Sequence, residues 1–400
     1  MTAARLVLED GAVFPGESFG AAVSSAGEVV FNTAMTGYTE SLTDPSYAGQ
    51  ILAMTWPLVG NYGVPPHLLE NGIQKFFESN QIWVKGLVVS EYSQQYSHWN
   101  AVESLSEWME REGIPGISGI DTRALTKRLR ERGTMLGKIV VDDPAGKAQD
   151  VDFYDPGKVN LIAQCSCTEI TEFKPTDLLE LRVASCELRE DASPADSSDQ
   201  RERFLADARQ RGLGAAPRRI ALIDCGAKNN ILRSLLRRGA TVVRVPWNFD
   251  VTTIDYDGLM ISNGPGDPQM AEETVENIKK AFELNKPIFG ICMGNQLLAR
   301  AAGATTYRMR YGHRGHNQPV ILQGTHQTWI TSQNHGYAVD PLRLSDDWEP
   351  SYINPNDGTC EGIAHKSKPF SSVQFHPEAS GGPRDAGVLF DRFLDSIRRQ

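Results

Sequence analysis

Six cysteines and eight histidines are scattered through the 400 residues, and one of each sits where nucleophilic catalysis could arise. Gly290-Ile-Cys-Met-Gly294 follows the apolar run of residues 287–291 and leads into a stretch with helical spacing. Small residues on both sides of Cys292 permit the sharp strand-to-helix turn of a nucleophile elbow, here in its thiol form. Such a turn lifts the side chain above a sheet and leaves the next N–H facing an oxyanion. The partial positive charge at the start of the helix favours a thiolate there. A lone Cys in an apolar strand is ordinarily a core residue; the bracketing glycines set this one apart.

A thiol needs a base. His376 follows Ser371-Ser-Val-Gln-Phe375 and precedes Pro377-Glu378. A carboxylate two residues on, across a rigid proline, can accept from the imidazole and fix its tautomer. His335, in Gln333-Asn-His-Gly-Tyr337, is the alternative base, but no acid follows it at short range, so it reads as a supporting residue. Ser262-Asn-Gly-Pro-Gly-Asp-Pro268 is a rigid loop whose glycines let backbone N–H groups approach a ligand, a natural second half of an oxyanion hole. Cys165-Ser-Cys167 has no matching pair at zinc spacing, so no metal site is expected. Neither a Walker A loop nor a G-x-G-x-x-G is present.

These residues need a scaffold. From Pro217 the sequence alternates: strand 219–224, helix 229–238, strands 240–245 and 258–262, helix 271–284, strand 287–291, helix 293–302. That order predicts a doubly wound, mostly parallel sheet with helices on both faces and reactive groups at the carboxyl ends of its strands. The first 140 residues read as a mixed α/β unit. Strands are expected at 5–11, 50–56 and 82–89, with one helix over 101–111 capped by Asn100. A second helix, 122–132, is capped by Asp121 and stopped by Gly133, and its Arg123, Lys127, Arg128, Arg130 and Arg132 read as a solvated face or a partner contact. Glu187 to Arg211 holds twelve charged residues in twenty-five and cannot bury a core, so it reads as a linker. The chain thus divides into an α/β unit at 1–150, a connector at 151–216 and a second α/β unit at 217–400.

Composition narrows the surroundings. With 40% hydrophobic and 22% charged residues the chain is globular, and a net charge of −10 argues against nucleic acid or an anionic membrane as partner. No apolar run reaches membrane-spanning length, and the first fourteen residues lack a secretory or transit pattern. Six scattered cysteines do not make a disulfide framework, so a reducing, cytoplasmic setting is expected.

The elbow, the His-Pro-Glu run and the 262–268 loop together resemble class I, triad-type glutamine amidotransferases, and the 84 residues between Cys292 and His376 fit that class. Thr36-Gly-Tyr-Thr-Glu-Ser-Leu-Thr-Asp-Pro-Ser-Tyr47, Gly60-Asn-Tyr-Gly63, Gly113-Ile-Pro-Gly116 and Asp121-Thr-Arg-Ala-Leu-Thr126 are similar to the small subunit of carbamoyl phosphate synthetase. Arg310-Tyr-Gly-His-Arg-Gly-His-Asn-Gln-Pro319 is similar to the eukaryotic, pyrimidine-pathway form, where this unit is often fused to a larger enzyme.

The resemblance implies Cys292 as nucleophile, His376 as base and Glu378 as its orienter. It implies glutamine held by Ser46, Gly264, Gly266, Met293, Gln296, Asn334, Gly336 and Tyr337, with the N–H groups of Met293 and Gly264 facing the oxyanion. Because Ser46 lies in the first unit, the two units should meet over the site. Ammonia would pass to a large ATP-grasp synthetase, separate or fused, and ATP and Mg would be needed there, with no cofactor in this chain. The chain departs from the family at Asn295, where His is usual, and at Tyr337, where Phe is common.

Overall fold

The computed structural model describes residues 2–70, 72–142, 145–175 and 217–398. Seven strands of the first unit close on themselves. They are β1 (Ala3–Leu8), β2 (Val13–Gly20), β3 (Ser25–Asn32), β4 (Gln50–Met54), β5 (Gly86–Val88), β6 (Pro115–Ser118) and β7 (Met135–Val141), in the order β1-β7-β3-β4-β5-β6-β2. Closure leaves these strands no free edge. In β1, Ala4, Leu6 and Leu8 point into the core while Arg5 and Val7 are only half-buried, the alternation a half-buried strand requires.

Three helices accompany the barrel: α1 (Tyr38–Thr43), α2 (Leu105–Arg111) and α3 (Thr122–Arg132). The helix expected from 101 starts only at Leu105. Ser104 wins the cap because its hydroxyl accepts from the Glu107 N–H while the Glu107 carboxylate accepts from the Ser104 N–H at 2.9 Å. Asn100 and Ala101 lie in the preceding turn. α3 is capped by Asp121, which accepts from the Ala124 N–H at 2.8 Å, and stops at Gly133. Its basic face is partly used inside the molecule: Arg128 and Arg132 both grip Asp10, and Arg130 lies over the Tyr311 ring.

The second unit is a ten-stranded sheet of β8 (Thr171–Phe173), β9 (Arg219–Asp224), β10 (Thr241–Pro246), β11 (Gly258–Ile261), β12 (Ile288–Ile291), β13 (Thr305–Leu322), β14 (Thr328–Asp340), β15 (Trp348–Ile353), β16 (Cys360–His365) and β17 (Phe370–Val373). Their order is β8-β10-β9-β11-β12-β17-β16-β14-β13-β15. Only the five central strands, β10 to β17, pair in parallel. The rest are antiparallel, so the sheet is mixed rather than mostly parallel. The reason is local: no crossover helix separates the strands between 305 and 373, and short connections can only join antiparallel neighbours.

Helices cover both faces of the parallel core, and alternate residues of β9 show which. Ile220 and Leu222 pack with α5 (Asn229–Leu236) and α8 (Val388–Arg398). Ala221 and Ile223 pack with α6 (Glu272–Glu283) and α7 (Met293–Ala301). The connector is more ordered than its composition suggests. Helix α4 (Leu161–Cys165) places Ile162 in the core, and β8 pairs with β10. The charged run 187–211 lies outside the described residues. Among the described residues, no helix is long and apolar enough to cross a membrane.

Buried polar groups join barrel to sheet. Arg233 of α5 pairs with Glu78 at 3.0 Å, both almost wholly buried, and donates to the carbonyls of Gln74 and Phe77. Arg233→Met leaves that carboxylate and two carbonyls without their cation, so the chain should lose about 3–5 kcal/mol of stability. Urea unfolding checks this; a loss within 1 kcal/mol would show that water replaces the guanidinium (roughly the weight of a surface pair).

Candidate active site

Four neighbouring parallel strands end on the same side of the sheet, and each delivers one part of the site. β12 ends at Ile291, and Cys292 turns the chain into α7 with φ 54° and ψ −102°. That left-handed conformation is strained for a residue with a side chain. The two glycines make it affordable. A Cβ at Gly290 would lie 2.5 Å from the Gly294 carbonyl, and one at Gly294 would lie 2.2 Å from the Ile261 carbonyl, so neither position tolerates any other residue without moving backbone. Met293 is the first residue of α7, where an N–H has no intrahelical carbonyl to bond.

β17 supplies the imidazole. His376 Nδ1 lies 2.6 Å from Glu378 Oε1, both fully buried. Burial and the Lys228 ammonium push the imidazole down, but the Glu378 carboxylate and the Cys292 thiol raise it further, to about 9. For Glu378 burial pushes upward, and His376 and Lys228 together outweigh it, holding the carboxyl down at about 2. His376 Nε2 is buried and has no hydrogen-bond partner among the described residues. Glu378 engages the other ring nitrogen.

Lys228, at the end of the loop after β9, is the residue that sequence reasoning missed. Its Nζ lies 3.2 Å from His376 Nδ1, 3.5 Å from Glu378 Oε1 and 3.2 Å from Asp44 Oδ2. Burial disfavours its charge, but Asp44, Glu378 and Glu78 keep it protonated. Asp44 comes from the barrel unit, so one carboxylate from each half holds this cation. The only sequence signal was position: Asp44 is two residues before Ser46, and Lys228 follows the strand 219–224, which lies two places from the elbow's own in the sheet.

The loop after β11 completes the set. Asn263 accepts from the Lys228 N–H at 3.0 Å and donates to Ser46 Oγ at 2.9 Å, which seats Ser46 against the sheet. A Cβ at Gly264 would lie 2.1 Å from the Cys225 carbonyl, so this loop also packs backbone on backbone. Ser46, Gly264, Gly266, Met293, Gln296, Asn334, Gly336 and Tyr337 all line one cavity with Cys292. Tyr337 donates to Asp267 at 3.1 Å, a bond that phenylalanine could not make. The connector contributes too: Pro156 and Leu161 line the same cavity.

Asn295 does not line that cavity. It is fully buried and holds Gln374 at 3.0 Å. The His335 ring nitrogens lie 2.8 Å from the Tyr337 carbonyl, which accepts from Nδ1, and 3.0 Å from the Gln333 side-chain amide. Burial and the neighbouring His313 charge hold its imidazole well below the usual histidine range. His313, His335 and Glu361 are close enough to suggest a metal, but their donor atoms bond one another and Asp357 and Gln333 instead. Cys165 lies in α4, and burial pushes its thiol up, away from reactivity.

Two family models match the two units. That for class I glutamine amidotransferase covers residues 221–396, and that for the carbamoyl-phosphate synthase small chain, CPSase domain, covers residues 6–139. A carbamoyl phosphate synthase arginine-specific small chain of Aspergillus fumigatus is 45% identical over 400 residues, across 99% of this chain and 80% of that protein. The chain belongs to the carbamoyl phosphate synthase small-chain family. As a carbamoyl phosphate synthase small chain it carries that enzyme's class I glutamine amidotransferase component. The multifunctional protein CAD of Squalus acanthias is also 45% identical, over 398 residues, and there the match spans 16% of the relative. The multifunctional protein ura1 of Schizosaccharomyces pombe is 44% identical over 414 residues, 17% of its length.

Proposed function

We propose that this small chain hydrolyses L-glutamine through Cys292, His376 and Glu378 and passes the ammonia to a large ATP-grasp synthetase, separate or fused, which makes carbamoyl phosphate from bicarbonate. The observation that carries the reading is the shared cavity: Cys292 and all eight glutamine-contact candidates face it, with the His376–Glu378 pair buried behind.

The Cys292 sulfur attacks the side-chain amide carbon, and the carbonyl π electrons move onto oxygen. The N–H groups of Met293 and Gly264 take that oxyanion, and a single such donor is worth about 10²–10³ in rate. His376, protonated near neutral pH, gives its proton to the amide nitrogen, and ammonia departs as the C–N bond breaks, leaving a γ-glutamyl thioester. His376, now neutral, takes a proton from water as the hydroxyl adds to the thioester carbon, and glutamate leaves as the C–S bond breaks, which restores the Cys292 thiolate beside protonated His376. ATP and Mg belong to the synthetase, where ammonia is joined to activated bicarbonate. The product serves pyrimidine or arginine synthesis in the cytoplasm; sequence identity is the same, 45%, to the arginine-specific small chain and to CAD.

Exposure of the purified chain to a diazoketone analogue of glutamine tests this. One adduct by intact mass, mapped to Cys292 and blocked by excess glutamine, is the expected result. No adduct, or label spread over Cys165, Cys225 and Cys360, would remove Cys292 as the glutamine nucleophile of this chain.

A further inference from the structure

Gln374, two residues before His376, is wholly buried beside the elbow, and the family reading gives it no task. Its carboxamide can face Cys292 with either end, and a chain of hydrogen bonds decides which. The decision starts at the Tyr337 carbonyl, which can only accept. Gln296 Nε2 lies 2.9 Å from that oxygen, so the Gln296 amide has one orientation. The same Nε2 lies 3.2 Å from Gln374 Oε1. Asn295 Nδ2 donates to that Oε1 as well, at 3.0 Å, and Asn295 Oδ1 in turn accepts from the Ser372 hydroxyl at 2.8 Å. With two donors fixed on its oxygen, Gln374 turns its Nε2 toward Cys292 Sγ, 3.7 Å away.

We propose that Gln374 is a further catalytic residue, whose side-chain N–H holds the Cys292 sulfur as thiolate, and that Asn295 and Gln296 are positioning residues that fix which end of the Gln374 amide meets the sulfur. The inference rests on Cys292 being the nucleophile. A hydrogen bond to the charged form favours that form, and a neutral amide does so without adding a competing base. It also gives Asn295 a reason to be where it is. A residue at that position reaches the sulfur through Gln374 and need not enter the cavity. The charged groups that interact with this sulfur are His376 and the buried Arg314 guanidinium, while Glu378 and Lys228 act on His376. Gln374 is the neutral donor among them.

Alkylation of the full chain by iodoacetamide, followed by intact mass between pH 5 and 10, reads the thiolate directly. In Gln374→Leu the pH of half-maximal Cys292 alkylation should move up by about one unit, with the rate at pH 7 about tenfold lower. Glutaminase kcat should fall about tenfold while KM for glutamine stays within about twofold, the pattern of an interaction made to the reacting atom. An unmoved alkylation midpoint, or a raised KM at unchanged kcat, overturns the proposal. Gln374→Met, unbranched and of matching length, is the second variant if the leucine does not fold. In the unmutated chain, the ¹⁵N resonance of the Gln374 side-chain amide should titrate with the same midpoint, and a flat response also overturns it. No diazoketone adduct on unmutated Cys292 would sink the nucleophile assignment; a normal adduct with an unmoved midpoint sinks the Gln374 role alone.

Discussion

Cys292→Ser should abolish glutamine-dependent turnover, by about 10⁴-fold or more, while the complex with the synthetase still makes carbamoyl phosphate from free ammonia. Serine fits the elbow, since φ 54° is imposed by the glycines on either side and not by sulfur. What it lacks is acidity. A hydroxyl does not yield its proton to His376 to make a resting anion, and the Gln374 N–H, 3.7 Å from sulfur, would face a shorter, harder atom. Steady-state assays with glutamine and with ammonium salt as alternative nitrogen donors separate the two outcomes. Loss of both activities would mean that Cys292 holds the subunit together and is not the nucleophile.

The second large effect concerns the imidazole and its carboxylate. His376→Asn should cost about 10³–10⁴ in kcat, the weight of a proton transferred in the transition state. Glu378→Gln should cost nearer tenfold, because a glutamine oxygen can still accept from Nδ1 and keep the tautomer (a group that orients a base loses less when its geometry survives). Its signature is in the pH profile. Glu378 is one of the groups that lift His376 to about 9 against burial and the Lys228 charge. Without that charge the imidazolium loses its proton at lower pH, so the alkaline limb of kcat/KM should move down by one unit or more. Equal rate losses in the two variants, or an alkaline limb that stays in place, would undo this division of labour.

The parts of this site that were legible in the sequence are those set by short-range rules. Gly290 and Gly294 announce the elbow because only glycine permits that backbone contact, and Pro377 fixes the reach from His376 to Glu378. The strand 219–224 and the cap of α3 were readable for the same reason: periodicity and caps act within one or two turns. What was hidden is long-range. The closing pair of the barrel, β1 with β7, joins residues more than a hundred positions apart. The start of α2 depended on whether Asn100 or Ser104 captured the helix N-terminus, and a glutamate three residues on decided it. Lys228 carries no motif; its meaning comes only from Asp44 and Glu378 meeting at one ammonium. The antiparallel half of the sheet was missed because β13 and β14 are polar on both faces where they build the site, which erases the alternation that marks a strand.

The ammonium of Lys228, held between a carboxylate from the barrel and one from the sheet, also acts as an interlock. Asp44 offsets part of the ammonium's charge, and without it that charge would weigh more heavily on the imidazole. The basicity of a side chain carried by the sheet is thus set in part by a carboxylate that the barrel supplies.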